Sequence, residues 1–287
     1  MNLRLDRLAT LYVAAPLLKL TPQDEYSIPI LMYHSIADED ESRVHPYYRT
    51  STSPQAFALQ MEQLHQAGYE TCSPAQAVSQ LETKAKTTSK QFVITFDDGY
   101  RDFYQNAFPS LNRFGFTATV YLPTAYIGES TQQFKGKDCL TWVEVQELQN
   151  HGILFGSHTV THPQLSGLSK GAIEIEVRDS KKAIEDNTGR VVDSFAYPYA
   201  FPQADADFRK MLRDTLVSAG YSNGVCTIVG RAGQGTDPLF MERLPVNGLD
   251  DNALLRAKLT GAYDWISKPQ SIMKSAKGFA ARVYRRP

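Results

Sequence analysis

An α/β barrel of seven or eight parallel strands, with helices outside, is the fold the sequence predicts. Three observations predict it. Strand-like and helix-like runs alternate about seven times from residue 28 onward, without an internal repeat or a low-complexity linker. No G-x-G-x-x-G follows the first strand, which argues against an open dinucleotide-binding sheet. The polar residues that close the predicted strands are His34, Asp97 with Asp98, His158 and Tyr199. In a parallel barrel all of them share one rim, the end where active residues collect.

The elements follow in order. "IPILMYHS" (28–35) is an apolar run that ends on a histidine. "SPQAFALQMEQLHQAG" starts a helix, with Ser53 as N-cap, Pro54 at the first helical position and Gly68 as the stop. "YETC" is a short strand, and "SPAQAVSQLE" repeats the Ser-Pro start. "QFVITF" (91–96) reads as a buried strand, then "RDFYQNAFPSLNRFG" as a helix that Pro109 kinks or breaks. "TATVYLP" (117–123) is the next strand, followed by a long loop over 124–140. Thr141 and Glu144 form a capping box at the head of "TWVEVQELQNHG". "ILFGSH" (153–158), the helix ending at Gly189, "SFAYPY" (194–199) and the helix "DADFRKMLRDTLVSAG" continue the alternation. "YSNGVCTI" and "LFMERLPV" are late strands, and "DNALLRAKL" is a terminal helix.

Bulk properties narrow the class without naming a function. The 287 residues carry 42% hydrophobic and 21% charged side chains, enough apolar material for a sizeable core. A net charge of -1 gives no field that would draw nucleic acid. Three scattered cysteines, Cys72, Cys139 and Cys226, make neither a disulfide framework nor a cysteine zinc site. The ends differ from the middle. Leu5, Leu8, Leu11, Tyr12 and Ala15 recur at helical spacing, so residues 1–27 are expected to form an amphipathic segment docked on the domain or on a bilayer surface. Asp6 interrupts the basic start and no small-x-small site follows, so this stretch is not read as a signal peptide. Residues 268–287 hold six basic side chains and no acidic one, suited to anionic headgroups. The expected organisation is therefore an N-terminal segment 1–27, a catalytic domain 28–265 and a basic tail 266–287. The expected location is cytoplasmic or on the inner membrane face, or outside the cell if the N-terminus is cleaved.

Adjacent acids at the end of a buried strand repel each other, so Asp97 and Asp98 ask for a reason. His158 and His162 stand four apart. If the chain turns helically after its strand, both imidazoles lie on one face and bind one cation. Two histidines and one carboxylate make a three-ligand site with open positions, suited to Zn²⁺ first and to Fe²⁺, Co²⁺ or Ni²⁺ as well. A haloacid-type phosphatase is excluded, because it needs Asp-x-Asp with both side chains on one side of the strand end.

"TFDDG" (95–99), "SHTVTH" (157–162) and "FAYPYA" (195–200) resemble the first three motifs of the polysaccharide deacetylase family, the NodB-homology enzymes of carbohydrate esterase family 4. "ILMYHSI" is similar to the strand of the branch that deacetylates poly-N-acetylglucosamine. The resemblance spans roughly residues 28–250. It implies a distorted (β/α)7 barrel and hydrolysis of an N-acetyl amide on an amino sugar, in a polysaccharide or a lipid-linked glycan. It also implies that Asp98, His158 and His162 hold the metal, that Asp97 is the general base toward water, and that the backbone N–H of Tyr199 steadies the oxyanion. Pro198, Tyr100 and Arg243 are candidates for lining the substrate. Tyr47, Tyr48, Tyr104, Tyr126 and Trp142, with Tyr100, are candidates for stacking on sugar rings.

Two positions depart from the family pattern. The arginine that many members carry in the third motif is Ala196 here, and the closing glycine is Ala200. Arg243 is the candidate replacement partner for Asp97. No histidine follows His162, so the usual late general acid is missing and His34 is its substitute by position. His45, His65 and His151 are expected to be structural. The competing reading is a non-catalytic carbohydrate-binding member of the same fold. Relics of that kind usually lose metal ligands, and this chain keeps the whole candidate triad.

Overall fold

Alternation along the longest strand sets the architecture. Phe92, Ile94 and Phe96 join the large core beneath the helices, while Val93 joins a second, smaller cluster with Ile30, Tyr121, Val225 and Met241. Successive side chains point to opposite faces, so Val93, Thr95 and Asp97 share the second face. The computed structural model, which describes residues 4–18, 20, 26–84 and 90–267, shows that face to be the inside of a closed ring.

The ring has seven parallel strands. β1 (Ile30–Tyr33) pairs with β3 (Lys90–Phe96), β3 with β4 (Thr119–Leu122), and β4 with β7 (Leu154–Ser157). β7 pairs with β8 (Ser194–Ala196), β8 with β9 (Asn223–Val229), β9 with β10 (Met241–Pro245), and β10 closes onto β1. This is the (β/α)7 barrel that the motifs imply. The strand read from "YETC", β2 (Tyr69–Thr71), stays outside the ring and pairs only with the first residues of β3. The closure is tight. A Cβ on Gly156 would lie 2.5 Å from the Tyr121 ring and 2.8 Å from the Ser194 carbonyl, so only glycine admits that ring to the barrel interior.

The helices begin and end where their signals lie. Ser53, Ser73, Thr141, Ser169, Asp205 and Asp251 each cap their helix through the side chain. The helix Lys170–Thr188 stops at Gly189, whose φ is 66°. The α-helical pattern does break ahead of Pro109. A π-helical turn, Phe103–Ala107, runs straight into the helix Phe108–Arg113. The N-terminal segment repeats the device, with α1 (Leu5–Ala9), a π turn Thr10–Ala14 and α2 (Ala15–Leu18) ahead of and around Pro16. A proline has no N–H to return to the carbonyl four residues earlier, and the wider turn absorbs that loss.

The loop expected over 124–140 contains a small hairpin, β5 (Gln133–Phe134) with β6 (Lys137–Asp138). Lys135 and Gly136 form its turn, both at positive φ, 53° and 79°. The basic tail, residues 268–287, lies outside the described residues.

Candidate active site

Asp97 faces the barrel interior because of its parity with Val93 and Thr95, and there it meets Arg243. The two Nη groups of Arg243 donate to the two oxygens of Asp97, each at 2.7 Å. Arg243 Nε donates to the Cys226 carbonyl and Nη1 also to Thr95 Oγ1, so the fork is fixed along its length. Arg243 is 0% exposed. Burial by itself raises the Asp97 pKa, but the Arg243 charge and its hydrogen bonds outweigh it and hold the group at about 2.

Asp98 leaves the strand. Its φ is +71° and that of Gly99 is +61°, two left-handed residues in succession that turn the second carboxylate away from the first. Asp98 Oδ1 then lies 3.2 Å from His162 Nε2 and 3.7 Å from His158 Nε2. Its other oxygen accepts from the Tyr100 hydroxyl at 2.9 Å and pairs with Lys135 Nζ at 3.2 Å. Burial, which pushes its pKa up, is overcome by His162, His34, His158 and Lys135, and the group sits well below the usual carboxylate range.

The two histidines meet without the helical turn that their spacing suggested. Residues 158–162 are irregular, and Thr159 (φ 69°) and His162 (φ 56°) are left-handed. The loop is tied down by Glu176, which accepts from the N–H groups of Val160 and Thr161, and by Thr159 Oγ1, which accepts from the His162 N–H. His158 Nδ1 lies 2.8 Å from the Ala196 carbonyl, so that nitrogen carries the proton and Nε2 offers its lone pair toward Asp98. Burial pushes His158 down to about 4, which leaves the ring neutral near pH 7.

His34 follows β1 and its Nε2 stands 4.0 Å from Asp97 Oδ2, beyond direct hydrogen-bond distance. Burial lowers its pKa as well. Tyr199 is 49% exposed at φ 58°, with its ring edge-on to His162 at 4.6 Å. Its carbonyl accepts from Thr227 Oγ1, and among the described residues no group accepts from its N–H.

The three candidates for lining the substrate are all buried. Arg243 is fully buried and presents no surface to a sugar, while Tyr100, 4% exposed, and Pro198 are as buried as Asp98 and His162 themselves. Tyr100 serves Asp98 instead, and Arg243 serves Asp97. Trp142 is buried too, whereas Tyr48 stays exposed. His45 caps a short 3₁₀ turn, His65 packs on Phe114 and His151 on Phe108, as structural histidines do. Sequence reasoning missed Lys135. The hairpin tip carries it over the site, with Phe134 packed 5.1 Å from the His162 ring. The Lys-Gly pair at the turn was its one signal.

Asp98, His158 and His162 fit a divalent cation. One donor atom from each lies within 4.8 Å of the others, and all three residues are buried. Asp98 Oδ1, the oxygen that faces Nε2 of both histidines, is a buried polar atom without a hydrogen-bond partner among the described residues. Native interiors rarely leave such atoms unpaired unless something else satisfies them.

A profile of the polysaccharide deacetylase family matches residues 84–222. "Putative polysaccharide deacetylase YxkH" of Bacillus subtilis is 33% identical over 240 residues, which is 82% of this chain and 75% of that protein. The chain belongs to the polysaccharide deacetylase family. Staphylococcus aureus poly-beta-1,6-N-acetyl-D-glucosamine N-deacetylase is 28% identical over 131 residues, 42% of this chain and 44% of that protein. Among solved structures, the Streptococcus pyogenes deacetylase PplD, in complex with acetate, superposes with a TM-score of 0.71 at 25% identity. That match covers 81% of this chain and 98% of the other.

Proposed function

We propose that this deacetylase is a metal-dependent hydrolase that removes an N-acetyl group from an amino sugar of a polysaccharide or lipid-linked glycan. The observation that carries the reading is the separation of two neighbouring buried acids. Asp97 is clamped by Arg243 on the inside of the barrel, and Asp98 is turned out toward two histidines. Zn²⁺ is the first candidate for Asp98, His158 and His162, with Fe²⁺, Co²⁺ or Ni²⁺ behind it. A cation held there supplies Lewis-acid polarisation of the amide carbonyl.

The chain's own groups do the rest. Asp97, ionised and oriented by Arg243, takes a proton from the attacking water. The free N–H of Tyr199 donates to the oxygen on which negative charge develops. His34, uncharged and 4.0 Å from Asp97, receives the proton by way of a water molecule and passes it to the departing nitrogen, the role left open by the lack of a later histidine. The name of the Staphylococcus aureus relative favours a β-1,6-linked N-acetylglucosamine polymer as the substrate.

Acetate release from β-1,6- and β-1,4-linked N-acetylglucosamine oligomers tests the reading. Release is expected on the β-1,6 oligomer, to stop after chelation and to return with Zn²⁺. Oligomer binding without any acetate release, at full metal loading, would instead identify a non-catalytic member. The site also predicts that Tyr100→Phe, which removes the hydroxyl on Asp98 Oδ2, keeps the fold and weakens metal affinity by about 10- to 100-fold. Competitive titration with a chromophoric chelator reads that shift, and an unchanged affinity would detach Tyr100 from the metal site.

A further inference from the structure

The N-terminal helical segment is built the wrong way round for a helix facing water. A surface helix ordinarily turns its apolar stripe to the core and its charges to solvent. Here the polar side chains face the protein. Arg4 pairs with Asp250 at 3.0 Å and Arg7 with Asp251 at 2.6 Å. Asp6 accepts from the Tyr263 hydroxyl at 2.8 Å, and Thr10, buried, accepts from the Trp265 indole N–H at 3.0 Å. The exposed residues among those described between 4 and 20 are Leu5, Tyr12, Val13, Pro16, Leu17 and Leu20, every one of them apolar. Leu5, Tyr12, Val13, Leu17 and Leu20 are 57–82% exposed. Allowing for the wider π turn, their positions fall on one side of the segment.

We propose that this face lies in the surface of an anionic lipid bilayer. Three observations select that occupant. First, the segment is held through its polar side by Asp250, Asp251, Tyr263 and Trp265, which leaves the apolar side outward, as insertion to the depth of the headgroup boundary requires. No helix among the described residues is long and apolar enough to cross a membrane. Second, Tyr12 and Trp265 are exposed amphipathic aromatics on the same part of the molecule, the residue type that favours the membrane–water boundary. Third, the chain leaves the described structure at Ser267, next to Trp265. The following twenty residues carry Lys268, Lys274, Lys277, Arg282, Arg285 and Arg286 and no acid. An apolar face and a cationic stretch that starts beside it are complementary to an anionic interface. Asp250 and Asp251, which anchor the helix, lie in the loop leaving the carboxyl end of β10.

Cosedimentation of the full chain with vesicles is the test, comparing phosphatidylcholine alone with a phosphatidylcholine–phosphatidylglycerol mixture. Binding is expected on the anionic vesicles, weakened by salt. The double variant Val13→Asp/Leu17→Asp is expected to bind about tenfold or more weakly with its thermal midpoint unchanged, since both positions are exposed. Replacing the six basic residues by glutamine is expected to remove the preference for anionic lipid. Failure of the native chain to bind anionic vesicles would overturn the proposal. So would equal binding by Val13→Asp/Leu17→Asp, or a lipid-free dimer by light scattering that the double variant disperses, which would assign the face to a second copy of this chain.

Discussion

Asp97→Asn is expected to retain its metal and lose acetate release by about 10²- to 10⁴-fold, the usual contribution of a positioned general base. The side chains are nearly isosteric, and the candidate ligands Asp98, His158 and His162 are untouched. Loss of turnover would then fall on the proton transfer. Two physical effects compete in native Asp97. Arg243 guarantees that the carboxylate is ionised at any working pH, yet a group held at about 2 has little intrinsic proton affinity. Geometry and the neighbouring cation must therefore carry the transfer, because a cation at Asp98 makes the attacking water more acidic. Asp98→Asn separates the two acids from the other side, since it should lose metal and activity together. Metal analysis of both variants beside the acetate assay decides the matter. Near-native turnover in metal-loaded Asp97→Asn, or loss of its metal, would end the assignment of Asp97 as the base.

This division between the two acids was half visible in the sequence. Strand parity alone sends Asp97 to the same face as Val93 and Thr95, and a glycine after Asp98 marks the turn. The partner that Asp97 finds, Arg243, was reachable only as a charge near the end of a late strand. Spacing misled at His158 and His162, because four-residue separation is met by a helix or by a loop with two left-handed residues, and only the fold chooses. Three-residue strands carry no period, so "YETC" could not be told from a ring strand. The two-residue strands around Lys135 could not be seen at all. Tyr100 shows the limit for aromatics, since a loop tyrosine reads alike whether it will stack on a ligand or bury its hydroxyl against a carboxylate. The first helix was legible as helical spacing, but of the positions in that spacing only Leu5 and Tyr12 lie on its outward apolar face. Which side meets water depends on Asp250, Asp251, Tyr263 and Trp265, about 250 residues away.

Arg243→Met carries the largest expected effect on stability. The substitution keeps much of the aliphatic volume and removes the charge that balances Asp97, leaving a carboxylate buried without its ion-pair partner. Breaking one side of a buried pair costs about 3–5 kcal/mol, which lowers the thermal midpoint by on the order of 10 °C for a domain of this size. The sign with pH follows from the carboxylate. In the native protein its pKa is depressed, so its contribution is present above the unfolded value of about 3.9 and is lost as pH falls through about 2. In the variant burial acts unopposed and the pKa is raised, so the penalty grows with pH above the unfolded value. The gap in unfolding free energy between native protein and variant should therefore be wide at pH 7 and narrow toward pH 4.5, measured by urea unfolding at each pH. Adding Asp97→Asn to Arg243→Met should recover much of the loss at pH 7, because the orphan charge is gone while any packing defect remains. No recovery in the double variant would mean that Arg243 stabilises the barrel by filling its interior, with the pairing to Asp97 contributing little.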